Sequence, residues 1–381
     1  MWRGSDMGRS FVILLDSSIL ATVAEPCHAA KTVKSAGALH PGLIPGRAQG
    51  LIKISRQRPA GGPEPREDAM SKTLSLCLLA AGLTTALPAF ANDPASCATI
   101  RTSDPGWTDI TSTDGVAAVV FAGLGYKPDI RTLSVPIGYE ALKSGEIDFF
   151  LGNWMPAQQK FRDDLNASGK VEELVTNLTG AKFTLAVTGT AKDLNVKDFA
   201  DLDAHKDAFQ GKIYGIEPGA PANQSITKMI DADKFGLGDW QLVESSEQGM
   251  LAQVQKNDAA GVPTVFLAWA PHPMNVKLAI TYLAGGDEEF GPDFGGATVH
   301  TLARKHWVAQ CPNAAKLLTQ MVFDVDMENQ LMGKILDDGM DPQVAAKGWI
   351  AANPERVTTW LEGVTTLDGK PGADAVLASV K

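Results

Sequence analysis

Trp107, Trp154 and Trp269 each stand at or just beyond the end of a short apolar or β-branched run, beside Gly or Pro. The contexts are Ser103-Asp104-Pro105-Gly106-Trp107-Thr108-Asp109, Leu151-Gly152-Asn153-Trp154-Met155-Pro156 and Phe266-Leu267-Ala268-Trp269-Ala270-Pro271. That profile is a strand running into a loop, and open α/β sheets bind their ligands beyond the carboxyl ends of strands. Tryptophan faces that converge there have a distinctive use, which is to hold a quaternary ammonium by cation–π attraction. Asp109 lies two residues past Trp107, Phe183 just before Thr184, and a Glu217-Pro218-Gly219-Ala220 turn follows another short apolar run. Any one of these aromatics is more simply a core residue; all of them together at strand ends favour a site. Trp240, Trp307, Trp349 and Trp360 fall on helical or pre-strand stretches and read as core.

The elements that must carry these residues alternate. Strands are expected at Cys97–Thr102, Asp129–Val135, Ile147–Leu151, Thr184–Val187, Lys212–Ile216, Gln241–Val243 and Thr264–Trp269. Helices are expected at Ser112–Leu124, Ile137–Lys143, Asp198–Phe209, Asn223–Asp233 and Gln248–Ala259. Repeated βαβ units predict an α/β fold with mainly parallel sheets. After residue 310 the texture is helical, at Asn313–Phe323, Met327–Leu336, Pro342–Ala352 and Pro354–Leu361. Strand-tip aromatics on such a chain suggest two lobes that close on a hinge.

Enzyme signatures are missing. The sequence has no G-x-S-x-G, P-loop or H-E-x-x-H, and no G-x-G-x-x-G after its first strand. Ser245-Ser246-Glu247 reads as a helix N-cap with a first-turn acid. Pro271-His272-Pro273 reads as a rigid linker. No cofactor is expected, and the histidines show no metal-ligand spacing with cysteine.

Met70-Ser71-Lys72-Thr73, an apolar Leu74–Leu87 and Ala89-Phe90-Ala91 form a secretory signal peptide cleaved after Ala91. Residues 1–69 then read as upstream sequence from an over-extended start, the rival being a cytoplasmic extension. Residues 1–91 hold 10 Lys and Arg against 6 Asp and Glu, so the remaining 290 residues hold 24 against 38, a net charge of −14. An acidic surface without a basic patch argues against nucleic acid and mildly favours a cationic ligand. Export also leaves two of the four cysteines, Cys97 and Cys311. In an oxidising compartment two cysteines most simply pair, the alternative being two unpaired buried thiols.

These residues carry a resemblance. The stretches SDPGWTDI (103–110), LGNWMP (151–156), GAKFTLA (180–186), KIYGIEPG (212–219), VESSEQGMLAQV (243–254), VFLAWAPHPMN (265–275), YLAGG (282–286), FGPDFGGATVH (290–300) and MENQLMGKIL (327–336) run in order across residues 94–381. In them the chain resembles the substrate-binding proteins of ABC importers for quaternary amines, the glycine betaine/choline-binding family, and its choline-binding members closely. The resemblance implies a type II periplasmic-binding fold, with lobe 1 formed by 92–179 and 276–381 and lobe 2 by 180–275. It implies an aromatic box of Trp107, Trp154, Phe183 and Trp269, with Asp109 on the ligand's polar tail and a Cys97–Cys311 disulfide. The function it implies is periplasmic capture of choline by a monomer and delivery to ABC permease subunits. Glycine betaine, carnitine, acetylcholine and trimethylamine N-oxide are the alternative ligands.

A trimethylammonium group has no N–H donor, so π faces, dispersion and desolvation must select it. At roughly 0.5–2 kcal/mol per desolvated contact, four faces supply about 2–8 kcal/mol toward the roughly 8 kcal/mol of micromolar binding. Two positions depart from the choline-binding pattern. Phe183 stands where the family usually has Tyr, and Ala220 replaces a ligand-contacting Asn. Asn223 and Gln224 are the nearby amides that could take its place.

Overall fold

The computed structural model describes residues 92–381. The expected upstream extension (1–69) and signal peptide (70–91), with Cys27 and Cys77, lie outside the described residues.

The chain opens with β1 (Thr99–Asp104), α1 (Thr108–Gly123), β2 (Lys127–Thr132), α2 (Val135–Ser144), β3 (Phe149–Met155) and α3 (Gln159–Ser168). β1 and β2 run parallel, joined through α1. α1 is buried almost throughout from Thr108 to Phe121. Gly115 makes this possible on one side: a Cβ there would lie 2.9 Å from the Pro342 carbonyl oxygen, so only glycine admits that close approach.

β4 (Val171–Thr188) is unusually long at 18 residues. Its first half pairs with β9 (Gly296–Arg304), its second with β7 (Val265–Ala270) and β8 (Ile280–Tyr282). Register breaks fall between Glu173 and Ala181, where the strand changes partners, and such irregularities bend a strand. Beyond β7 lie β5 (Lys212–Tyr214) and β6 (Gln241–Val243), both parallel to their neighbours. The helices between these strands are α4 (Pro221–Asp231) and α5 (Glu247–Ala259). The C-terminal part is helical: α6 (Lys305–Gln310), α7 (Pro312–Gln320), α8 (Val325–Leu336), α9 (Pro342–Ala352), α10 (Pro354–Trp360) and α11 (Gly372–Ser379).

Several expectations need correction. The sheets are mixed: β3–β9, β4–β7, β4–β8 and β4–β9 are antiparallel, because β4 and β9 pass back and forth as connectors. The helix expected at Asp198–Phe209 is two short 3-10 turns, the first closed by a capping box between Asp198 and Asp201. Phe183 sits deep within β4 and not at the start of a strand. Strand β9 and helices α3, α6 and α11 were not expected at all.

Cys97 and Cys311 are joined, with Cα atoms 5.8 Å apart and a separation of 214 positions in sequence. They belong to the one cluster of potential metal ligands among the described residues, whose third member, Asp93, already accepts from the Asn313 and Ala314 backbone N–H groups and the Tyr126 hydroxyl. Closing so long a loop removes up to about 5 kcal/mol of unfolded-chain entropy. In a chain carrying C27S and C77S we therefore expect no alkylation in denaturant until a reductant is added. Reduction should also lower the melting temperature by about 10 °C. Labelling of both thiols without reductant would refute the bridge.

Candidate functional site

The five site residues expected from sequence line a single cavity. Trp107, Asp109, Trp154, Phe183 and Trp269 share it with Ala157, Gln158, Ile216, Pro221, Ala222 and Leu267. The empty space among these residues, open solvent at the mouth included, is about 450 Å³.

Each ring is held by the local fold. Trp107 is the last residue before α1, in extended conformation, three residues beyond the end of β1. Trp154 and Trp269 are the penultimate residues of β3 and β7, and each of those strands ends at a cis X-Pro bond, Met155-Pro156 and Ala270-Pro271. Phe183 faces Trp269 directly across the β4–β7 pair. It meets Trp154 edge-on at 6.3 Å between centroids, and Phe290 edge-on at 5.3 Å from behind. Behind Phe183 the chain passes so closely that a Cβ on Gly295 would sit 1.8 Å from the Phe183 carbonyl oxygen. With φ at +73° Gly295 is doubly a glycine position.

Polar groups are few and most are engaged, Glu217 Oε1 being buried without a partner. Trp154 Nε1 donates to Asp109 Oδ2 at 2.9 Å, and Trp107 Nε1 donates to Glu217 Oε2 at 2.9 Å. Gln158 donates to the Gly152 carbonyl and accepts from the Tyr139 hydroxyl. Burial, reinforced by the charge of Glu247, pushes the Asp109 carboxyl up to about 7, against the smaller opposing effect of the Trp154 N–H. Burial likewise raises Glu217 and Asp104. A cavity of aromatic faces with one buried acid whose ionisation costs energy suits a small cation: the cation restores what burial took from the carboxylate.

Ala220 is buried as the N-cap residue of α4, behind Pro221 and Ala222. Neither nearby amide is among the residues that line the cavity. Asn223 is bound to Ile216 through both ends of its amide, and Gln224 donates to the Gly219 carbonyl. Trp240, Trp307 and Trp360 are buried away from the cavity, and Trp349 stacks on Trp360 at 5.8 Å.

Sequence reasoning missed Glu247 and His272. Ser246 does cap α5, accepting from Gly249 N–H at 3.1 Å, but Glu247 does not face solvent as a first-turn acid usually does. It is buried, bonded to Thr108 and to His272, whose ring packs edge-on against Trp269 at 5.1 Å. No helix among the described residues is long and apolar enough to cross a membrane.

Residues 98–352 match the model of a family described as the substrate binding domain of ABC-type glycine betaine transport system. A solved structure described as an ABC-transporter choline binding protein in complex with choline is 49% identical, with a TM-score of 0.75, covering 76% of this chain and 100% of that one. The same description in an unliganded semi-closed conformation gives 50% identity and a TM-score of 0.70, over 75% and 99% of the two chains. The glycine betaine/carnitine transport binding protein of Listeria monocytogenes serotype 1/2a (strain 10403S) is 31% identical over 190 residues, 49% of this chain and 60% of that protein. These neighbours establish the type II periplasmic-binding fold of two α/β lobes.

Proposed function

We propose a function from the premise that this chain belongs to the substrate-binding domains of ABC-type glycine betaine transport systems: it captures choline in the cavity between its lobes and hands it unchanged to the permease subunits of an ABC importer. The observation that carries this reading is the convergence of Trp107, Trp154, Phe183, Trp269 and Asp109 on one cavity whose other walls are almost wholly apolar. The rings take the trimethylammonium group and Asp109 the hydroxyl at the other end. A carboxylate tail, as in glycine betaine or carnitine, would meet Asp109 with like charge, which favours choline among the ligands named for the relatives.

For the lobe division we propose crossings within β4 and β9, a reading supported by the pairing of β8 with β4 at Ala186–Thr188 and by the packing of Phe290 on Phe183 and Phe199. Residues 276 to about 295 then belong with the second lobe.

Calorimetry with choline, acetylcholine, glycine betaine, carnitine and trimethylamine N-oxide tests the function. Choline should bind at micromolar affinity or better, with the two carboxylates at least about tenfold weaker. At a hundredfold excess over its dissociation constant the ligand adds about 2.7 kcal/mol of stability, a plain rise in melting temperature. Tighter binding of glycine betaine than of choline would overturn the choice, and turnover of a choline ester would overturn the binding role.

Export is part of the same proposal: the protein acts as a monomer in the periplasm after loss of residues 1–91. Intact-mass analysis of the exported protein should give Asn92 as its first residue. Recovery of residues 1–69 on that protein would refute the processing.

A further inference from the structure

Two acids of the second lobe, Glu217 and Glu247, hold two adjacent residues of the first. Glu217 Oε2 accepts the Trp107 indole N–H, while Glu247 Oε2 accepts the Thr108 backbone N–H at 2.8 Å and Glu247 Oε1 the Thr108 hydroxyl at 2.6 Å. Thr108 is the first residue of α1, and the N-cap residue of that helix, Trp107, makes no side-chain capping bond. The opening N–H groups of a helix need acceptors and carry partial positive charge, so an acid there is favoured. For α1 that acid is 139 residues away in sequence, on the opposite lobe. Glu247 in turn lies 3.2 Å from His272 Nε2, and His272 packs on Trp269.

This makes one buried path from Trp269 through His272 and Glu247 to Thr108, which sits between Trp107 and Asp109. Separation of the lobes would break both bonds to Thr108 at once and expose the uncapped end of α1. We infer that Glu247 is the closing clasp of the protein: it caps α1 from across the cleft, so that closure of the lobes and assembly of the aromatic box are a single event. Glu217, hooked to Trp107, is the second and weaker hold. Glu247 is not among the residues that line the cavity and acts as a positioning residue. The inference rests on the two-lobe ligand-binding reading above.

A clasp acts on the closed state, so its loss appears in dissociation more than in association. In the full chain carrying C27S and C77S, spin labels at Ile137→Cys and Val276→Cys, exposed at 56% and 88%, report the span between lobes. Glu247→Ala should lengthen that span without ligand and shorten it only partly with choline. It should also raise the choline dissociation rate about tenfold while changing the association rate less than about threefold. Glu247→Gln, which keeps an acceptor, and Thr108→Val, which keeps the N–H donor, should fall between wild type and alanine. These two decide the matter if the alanine variant does not fold. An unchanged span and dissociation rate in any folded variant that has lost the Thr108 hydroxyl contact would overturn the clasp, even if its melting temperature falls. If the wild type binds no quaternary amine but the span still lengthens on mutation, the clasp stands and the ligand assignment fails.

Discussion

Trp154→Ala will lower choline affinity about a hundredfold and still unfold as one cooperative unit. The ring does three things at once. It offers a face to the cation, worth roughly 0.5–2 kcal/mol when desolvated. It contributes apolar area to the cavity wall, at about 25 cal/mol per Å². Its N–H also partners Asp109, whose buried carboxyl would otherwise lose its indole donor. Together these approach about 3 kcal/mol, or a factor of about a hundred. The fold survives because the gap opens into an existing cavity that water can enter. Trp360 is the control. It is 1% exposed, stacked on Trp349 and remote from the cavity. Trp360→Ala should therefore cost about 3–5 kcal/mol of stability and leave the affinity of the folded fraction nearly unchanged. Titration calorimetry and thermal melts on both variants decide it. Choline affinity within about threefold of wild type in a folded Trp154→Ala protein would remove this ring from the site.

The contrast between those two tryptophans shows what the sequence could reveal. Trp154 is bracketed by Gly152 and Pro156 at the end of an apolar run, a local pattern that marks a strand tip. Trp360 lies in a helical run between Pro354 and Gly363, with nothing to mark a cleft. Both inferences need only neighbours in sequence. Glu247 needed more: Ser-Glu before a helix has the same local pattern whether the acid faces water or another lobe, and the bond to Thr108 spans 139 residues. The same limit applies to β4. Its stretch from Val171 to Lys182 alternates irregularly between buried and open positions, because the strand changes partners from β9 to β7 and β8 and no single face is covered along its length. Period-two reading therefore recovered only Thr184–Val187, the part packed on both sides by β7 and the core. β9 was obscured by the Gly-rich segment from Gly291 to Gly296 that leads into it.

Choline affinity will rise with pH between about 5 and 7 and then level off. In the ligand-free protein burial holds the Asp109 carboxyl at about 7, far above its ordinary value, and a cation in the box favours the ionised form. Below that pH binding must expel a proton, so the dissociation constant should grow by up to about tenfold per pH unit as pH falls. Stability runs in the opposite sense. The folded value is raised above the unfolded one, so the contribution of the neutral carboxyl is full below about pH 4 and is lost as pH rises toward 7. Ligand-free protein should thus lose stability across the window in which choline gains affinity. The neighbouring acids act in the same direction: Asp104 is raised by burial, and Asp114 and Glu328 are held well above the usual carboxylate range by it. Asp109→Asn separates their part. It keeps an acceptor for Trp154 but cannot ionise, so it should bind choline at least about tenfold more weakly at pH 8 and flatten the profile between pH 5 and 7. It should also narrow the preference for choline over glycine betaine, since the charge that rejects a carboxylate is gone. Calorimetry in two buffers of different ionisation enthalpy counts the released proton directly. A profile of equal slope in wild type and Asp109→Asn would assign the pH dependence to the other acids and leave Asp109 as a hydrogen-bonding group alone.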